Sequence, residues 1–164
     1  EAAGSTGDES LIPVYKMLTK ASVDPTLYSS CMSGLLDTWM DFPFYETHSK
    51  AGYNLTMKRL KKVPRDDNHP PWSMMSSFQY VGDQKSDKLK KWRAYATFYK
   101  KKDLIAVLSA IVTDEKANWM GRTATVRSLA KLMKKSQFEK LQAACAQCNS
   151  FVVKQFKEEL GKMK

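Results

Sequence analysis

The sequence predicts an all-α protein, folded as a compact antiparallel bundle of five to seven helices. Apolar side chains recur at helical spacing along nearly the whole chain of 164 residues, and no segment shows the strict alternation of a half-buried strand. Hydrophobic residues make up 43% of the chain, which is enough for one core. We therefore expect a flexible acidic tail over residues 1–9 and a single helical domain over residues 10–164.

Three helices are expected in the first part of the chain. A short helix over Leu11 to Lys20 tolerates its proline in the first turn. Asp24-Pro25 starts a second helix, with Asp24 as the N-cap and Pro25 at the first helical position. A third helix covers Glu46 to Lys62. The second helix carries an apolar stripe of Leu27, Cys31, Leu35 and Trp39, and the third carries Tyr53, Met57 and Leu60.

Further helices are expected after a proline-rich loop over residues 63–71. The first of them is short and covers Trp72 to Val81. A long helix then runs from Ser86 or Asp87 to about Val112, with a connection over Thr113 to Arg122. Another helix starts at Thr123 or Thr125 and continues to Lys135.

The last helix is expected to begin with a capping box in which Ser136 is the N-cap and Glu139 the third helical residue. We expect this helix to be continuous, because its apolar residues keep one helical period to the end of the chain. They are Phe138, Leu141, Cys145, Cys148, Val152, Phe156 and Leu160.

Charge is the strongest functional signal, because it is large and unevenly distributed. The chain has 27 Lys and Arg against 17 Asp and Glu, for a net charge of +10. Residues 1–50 are net acidic, so the excess of positive charge lies after residue 50. A surface of this kind predicts an anionic partner, namely a membrane surface, an acidic glycoprotein coat, or nucleic acid.

No motif in the sequence predicts catalysis, a metal site or a cofactor. The only histidines, His48 and His69, lie near no nucleophile motif, and no glycine-rich phosphate loop is present. Cys145-x-x-Cys148 lacks the second pair of ligands that zinc needs, and its expected place in the middle of a helix indicates a structural role. With Cys31, the thiols form either one disulfide and one free cysteine, or three buried cysteines.

Two sets of side chains are candidates for contact with an anionic surface. Lysine outnumbers arginine, which favours diffuse attraction over specific recognition of bases or phosphates. The attracting residues are predicted to be Lys58, Arg59, Lys61, Lys62, Lys88, Lys90, Lys91 and Arg93. The hydrophobic contact is predicted to consist of Trp72, Met74 and Met75. Trp72 and Trp119 lie in or beside loops, so either can anchor at a lipid interface.

Several short runs resemble the gastropod sperm acrosomal proteins, the family of abalone lysin and its larger fusagenic paralogue. Gly34-Leu35-Leu36 followed by Trp39 resembles the first long helix of lysins, and Lys50-Ala51-x-Tyr53 followed by Lys58-Arg59 resembles the second. His69 followed by Trp72 and Met75 resembles the next stretch. The resemblance covers residues 30–80. It implies an all-α monomer or homodimer, secreted into the acrosomal vesicle, that acts in fertilization on the egg membrane or egg coat without covalent chemistry.

A second resemblance defines the alternative function. Pro71-Trp72 with Tyr80 downstream is similar to the helical modules of host-translocated oomycete effectors. This resemblance implies an intracellular protein-interaction module, in which Trp72 and Tyr80 belong to the core. Non-specific nucleic-acid binding is a weaker third alternative, because the charge fits but no recognition motif is visible.

Overall fold

The computed structural model describes residues 9–20, 24–40, 50–62, 70, 72, 75, 76, 78, 79 and 100–164. All regular elements within these residues are helical, which confirms the all-α prediction. A 3₁₀ turn over Glu9–Leu11 precedes seven α-helices. They are α1 (Ile12–Leu18), α2 (Pro25–Met40), α3 (Lys50–Lys62), α4 (Lys101–Thr113), α5 (Trp119–Leu132), α6 (Lys135–Ala144) and α7 (Ser150–Lys162).

The chain divides into two compact units. The first comprises Glu1–Pro64 and Gln84–Lys100, and the second comprises Arg65–Asp83 and Lys101–Lys164. The single domain over residues 10–164 stays a prediction. Residues 1–8 of the expected tail lie outside the described residues, and Glu9 already belongs to the 3₁₀ turn.

In the first unit, α1, α2 and α3 pack against one another. The predicted start of α2 is confirmed, because Asp24 Oδ1 accepts hydrogen bonds from the N–H groups of Thr26 at 2.9 Å and Leu27 at 3.1 Å. The predicted stripe is wrong at Leu27, which is 44% exposed. Cys31 and Leu35 are buried as predicted, Tyr28 and Met32 are buried as well, and the side chain of Trp39 lies outside the described residues. From α3, the predicted residues Tyr53, Met57 and Leu60 are all buried.

An arginine of α3 donates hydrogen bonds to acceptor groups at the C-terminal end of α1. Arg59 Nη2 donates a hydrogen bond to the carbonyl oxygen of Lys16 at 2.8 Å, and its Nε donates to Thr19 Oγ1 at 3.1 Å. The last carbonyl groups of a helix have no partner within the helix, so a donor from a neighbouring helix replaces water there. Arg59 therefore has a structural role within the first unit.

In the second unit, α5 packs on α4, α6 and α7. The core takes Leu104, Val107, Leu108, Ile111 and Val112 from α4, and Ala124, Val126, Leu129 and Leu132 from α5. Phe138 of α6 and Phe156 of α7 meet with ring centroids 5.0 Å apart. Within the expected helix over residues 72–81, residues 72, 75, 76, 78 and 79 are described, and all five are helical. Met75 and Phe78 of this segment are fully buried.

Arg122 of α5 donates a hydrogen bond to a carbonyl group in the last turn of α4, as Arg59 does for α1 in the first unit. Arg122 is 2% exposed, and its Nε donates a hydrogen bond to the Val112 carbonyl oxygen at 2.9 Å. Val112 lies in the last turn of α4, where a carbonyl group lacks a partner within its own helix. A buried cation thus joins α5 to α4.

Two of the predicted helices are wrong in extent, and the predicted start of the first, at Ser86 or Asp87, lies outside the described residues. The long helix from residue 86 to 112 is not continuous, because Lys100 is not helical and α4 begins at Lys101. Lysine has no side-chain acceptor for an N-cap bond, so this boundary leaves no capping signal in the sequence. The next helix begins at Trp119, before the predicted Thr123 or Thr125, since Asn118 Oδ1 accepts from the N–H groups of Met120 at 2.8 Å and Gly121 at 3.1 Å.

The predicted last helix is two helices. The predicted capping box is also wrong: α6 begins at Lys135, so Ser136 lies inside its first turn, and Gln137 Oε1 accepts from the Lys134 N–H at 3.3 Å. The chain then leaves the helix over residues 145–149, and α7 begins after Asn149. Asn149 competes with continued helix here, because its side chain accepts a backbone N–H in the N-cap position. Cys145 and Cys148 therefore lie in a turn, not in the middle of a helix.

Candidate functional site: an aromatic groove in the second unit

A groove of about 390 Å³ opens on the surface of the second unit. The first turns of α5 and α7 form two of its sides, and Trp72 contributes from the preceding segment. Its lining residues are Trp72, Trp119, Met120, Thr123, Arg127, Phe151, Lys154, Gln155 and Glu158. The groove thus combines large apolar side chains with a polar and charged rim.

The apolar side chains of the groove are unusually exposed. Trp72 is 50% exposed, Trp119 41%, Met120 45% and Phe151 55%. The other large hydrophobic side chains that are exposed in the described residues, Val14, Met17 and Leu27, belong to the first unit. Scattered apolar side chains are normal on a protein surface, but a contiguous group marks a contact site for another molecule.

Two asparagine caps hold the aromatic pair of the groove. Trp119 and Phe151 stack with ring centroids 4.6 Å apart and an angle of 27° between their planes. Asn118 precedes Trp119 directly and caps α5, and Asn149 Oδ1 accepts the N–H of Phe151 itself at 3.0 Å. Because each cap fixes the first turn of its helix, the two rings are held on neighbouring helix ends. The stacked geometry is one that aromatic pairs favour.

The wall that carries Trp72 is fixed to α5 by two close contacts. Ser128 Oγ donates a hydrogen bond to the Met75 carbonyl oxygen at 2.8 Å. At Gly121, a Cβ atom would lie 1.9 Å from the Pro70 carbonyl oxygen, so only glycine allows the two backbones to approach this closely. These contacts place the backbone of Pro70 and Met75 against α5, and Trp72, which lies between them in the sequence, lines the groove.

The rim of the groove carries both signs of charge. Lys154 and Glu158 of α7 form an ion pair at 4.0 Å, and both side chains remain well exposed. At the next residue, the buried Glu159 Oε1 accepts from Gln155 Nε2 at 2.9 Å and from Lys162 Nζ at 2.8 Å. An exposed ion pair such as Lys154–Glu158 contributes little to the stability of the fold. The rim charges therefore remain able to interact with a ligand.

The predicted site residues are only partly brought together. Trp72 lines the groove, whereas Met75 is fully buried in the core, which corrects its prediction as an exposed contact. Lys58 and Lys61 are exposed on α3, and Arg59 is engaged at the end of α1. The remaining predicted residues lie outside the described residues or, for Lys62, have an undescribed side chain; they are Lys62, Met74, Lys88, Lys90, Lys91 and Arg93.

Met120 and Phe151 were missed from the sequence as surface contacts. The signal that identifies them is an asparagine placed one or two residues before a large apolar side chain, in Asn118-Trp119-Met120 and in Asn149-Ser150-Phe151. An N-cap residue starts a helix at the protein surface, so apolar residues in the following first turn lie near an exposed helix end. Trp119 is exposed, and its role as an interfacial anchor stays a prediction.

All three cysteines are free thiols in the described residues. Cys31 and Cys145 are buried, and Cys148 is partly exposed. Burial raises the pKa of the Cys31 thiol above its usual value. Burial is also the main cause that raises the pKa of Cys145 from 9.0 to about 12, and a hydrogen bond and charge interaction with Cys148 act in the same direction.

The part of the chain that the structure describes was compared with what a metal site and a membrane-spanning helix require. It contains no group of three or more His, Cys, Asp or Glu side chains that could hold a metal ion. It also contains no helix that is both long and apolar enough to cross a bilayer. His48 and His69 lie outside the described residues.

Comparisons with protein-family models, with curated proteins and with solved structures give no match for this chain. The site therefore has to be interpreted from its own chemistry.

Proposed function

We propose that this protein is a non-enzymatic cationic protein that attaches to an anionic membrane surface and makes its apolar contact through the aromatic groove. The observation that carries the proposal is the exposed group formed by Trp72, Trp119, Met120 and Phe151, in a chain with a net charge of +10. The resemblance to gastropod acrosomal proteins supplies a setting for this activity. In that setting the protein is secreted from the sperm acrosome and acts in fertilization at the egg membrane or coat.

The charge supports the first step of binding. Residues 101–164 alone contain 13 Lys and Arg against six Asp and Glu. Each basic residue near an anionic bilayer contributes about 1 kcal/mol, and this attraction falls off within a Debye length. Basic residues spread over exposed helix faces attract the protein to the surface without a specific headgroup site. Binding of this kind weakens as the salt concentration rises.

The aromatic residues support the second step. Tryptophan is enriched at the membrane–water interface because its ring is apolar while its N–H remains hydrated. Trp119, Met120 and Phe151 lie in the first turns of α5 and α7, where side chains can enter the headgroup region without unfolding a helix. Insertion of side chains only, with no spanning segment, is the mode of interfacial proteins.

The test is co-sedimentation with vesicles that contain phosphatidylserine and with vesicles of phosphatidylcholine alone. The wild-type chain is compared with the double variant Trp119→Ala/Phe151→Ala and with the control Met17→Ala, which removes an equally exposed side chain from the first unit. We expect anionic vesicles to bind the wild type and the control. The double variant should bind at least tenfold more weakly. Equal binding of all three proteins would refute the role of the groove.

The concave shape of the groove favours a second candidate function, the binding of a protein segment. A groove lined by aromatic side chains and edged by Lys154 and Glu158 suits an amphipathic helix with charges of both signs. This is the interaction-module function that the effector resemblance implies. In the same experiment, absence of binding to either vesicle would favour this candidate. A steep salt dependence with duplex DNA, without lipid binding, would favour nucleic acid.

A further inference from the structure

The turn between α6 and α7 brings two thiols close together. The Cys148 N–H donates a hydrogen bond to the Cys145 carbonyl oxygen at 3.0 Å. A hydrogen bond between the first and fourth residues defines a β-turn, in which the outer Cα atoms lie within about 7 Å. Disulfides require a Cα separation of roughly 4.4 to 6.8 Å, so the backbone of this turn has the dimensions that a disulfide needs.

The two thiols differ in access to solvent. Cys145 is 1% exposed and lies at the end of α6, whereas Cys148 is partly exposed. An external reagent can therefore reach Cys148 but not Cys145. The two side chains also interact directly, since a hydrogen bond in which the Cys145 S–H donates to Cys148 is among the causes that raise the pKa of Cys145. One accessible and one buried thiol in contact are the arrangement of an attacking and a resolving cysteine.

A buried positive charge lies within electrostatic reach of the pair. Arg122 is 2% exposed, and its Nη2 atom is buried without a hydrogen-bond partner among the described residues. Its charge favours the thiolate form of Cys145, in opposition to the effect of burial on the pKa. A buried guanidinium with an unused donor is costly, because it loses its hydration without full compensation. A thiolate formed at Cys145 during exchange would be favoured by this charge.

We propose that Cys145 and Cys148 are a redox-active dithiol that forms an intramolecular disulfide by exchange with a low-molecular-weight disulfide such as oxidised glutathione. The Cys148 thiolate attacks one sulfur of glutathione disulfide, and a mixed disulfide forms as the first glutathione thiolate leaves. Cys145 gives its proton to solvent and attacks Cys148 Sγ. The bond to the second glutathione breaks, and that glutathione leaves as a thiolate. Two protein thiols are oxidised, and one glutathione disulfide is reduced to two thiols.

The position of the turn connects this reaction to the groove. Asn149 follows Cys148 directly and accepts the N–H of Phe151, which stacks on Trp119. A disulfide at residues 145 and 148 constrains the backbone immediately before this cap. We therefore expect oxidation to change the binding strength of the groove. This part of the inference rests on the proposed function, whereas the disulfide exchange does not.

The test is a redox titration of the full chain in glutathione buffers, read by alkylation under denaturing conditions and mass spectrometry. The reference protein is Cys31→Ser, because it retains only the two thiols of the turn. We expect it to lose both alkylation sites together, at one midpoint, with the loss of two hydrogen atoms in mass. Cys31→Ser/Cys148→Ser should form no intramolecular disulfide, and Cys31→Ser/Cys145→Ser should stop at the mixed disulfide. Two alkylatable thiols in fully oxidised buffer would overturn the proposal.

Vesicle binding of oxidised and reduced Cys31→Ser separates the two proposals. A difference in affinity between the two forms supports the link to the groove, and equal affinities overturn that link alone. If the disulfide forms while neither redox form binds any vesicle, the membrane function fails and the dithiol stands.

Discussion

Gly121 provides the sharpest test of the packing that shapes the groove. The Cβ of an alanine at this position would lie 1.9 Å from the Pro70 carbonyl oxygen, and ordinary contact begins at 3.4 Å, so the two backbones would have to separate by about 1.5 Å. Neither atom belongs to a flexible side chain that could move aside. Overpacking of this kind costs about 1–3 kcal/mol or more, while alanine gains about 1 kcal/mol in helix propensity over glycine. We expect Gly121→Ala to lose about 2 kcal/mol of stability.

The assay is urea denaturation followed by circular dichroism, with two further glycine variants for comparison. Gly161→Ala is the matched control, because the Cβ atom that alanine would add there has no neighbouring atom within 4 Å. It should keep or gain up to about 1 kcal/mol. Gly34→Ala should fall between the two, since its Cβ would meet the Tyr15 hydroxyl at 2.9 Å, at the end of a side chain that can shift. A stability of Gly121→Ala equal to that of Gly161→Ala would refute the contact with Pro70.

Three further predictions concern helix ends and thiols. Asn118→Ala should cost about 1 kcal/mol in urea denaturation and lower vesicle affinity, since it removes the cap of the helix turn that holds Trp119; full vesicle affinity would argue against the cap's role. Arg122→Ala should cost about 1–3 kcal/mol because the Val112 carbonyl loses its donor, and an unchanged urea midpoint would contradict this. Folding raises the pKa of the Cys145 thiol from 9.0 to about 12. The contribution of this thiol to the free energy of unfolding is therefore fully present below pH 9.0 and should be lost as the pH rises towards about 12. Thermal denaturation against pH should show a smaller alkaline loss in Cys145→Ala, and an identical loss would refute the assignment.

The sequence predicts the parts of this fold that depend on periodic burial. The burial of Tyr53, Met57 and Leu60 in α3 follows from their helical spacing. The start of α2 follows from Asp24-Pro25, where one side chain supplies the acceptor and the next fixes the backbone angle. These features are local, so a single stretch of sequence contains all the information they require.

Helix breaks were harder to predict, because an apolar period can continue across them. Cys145, Val152 and Phe156 are all buried, yet residues 145–149 leave the helix between them. The period alone therefore indicated one helix where two exist. The asparagine at residue 149 was the available signal, and its preference for the N-cap outweighed the continuity of the stripe.

The candidate site was predicted only in part, because exposure depends on tertiary packing. Trp72 and Met75 lie three residues apart in one segment, yet the first is half exposed and the second fully buried. Sequence spacing does not show which side of such a short segment meets α5. The Ser128 hydrogen bond to Met75 and the approach of Gly121 to Pro70 decide this, and both are long-range contacts.

Quenching of tryptophan fluorescence by brominated lipids in anionic vesicles tests the central claim most directly. Bromine quenches only tryptophans that reach the acyl chains, so the signal reports contact and not mere attraction. We predict strong quenching of the wild type on phosphatidylserine vesicles, and little quenching of the Trp72→Phe/Trp119→Phe variant on the same vesicles. Quenching that is undiminished in the double variant, or absent in a wild-type protein that sediments with the vesicles, would contradict membrane contact through the groove.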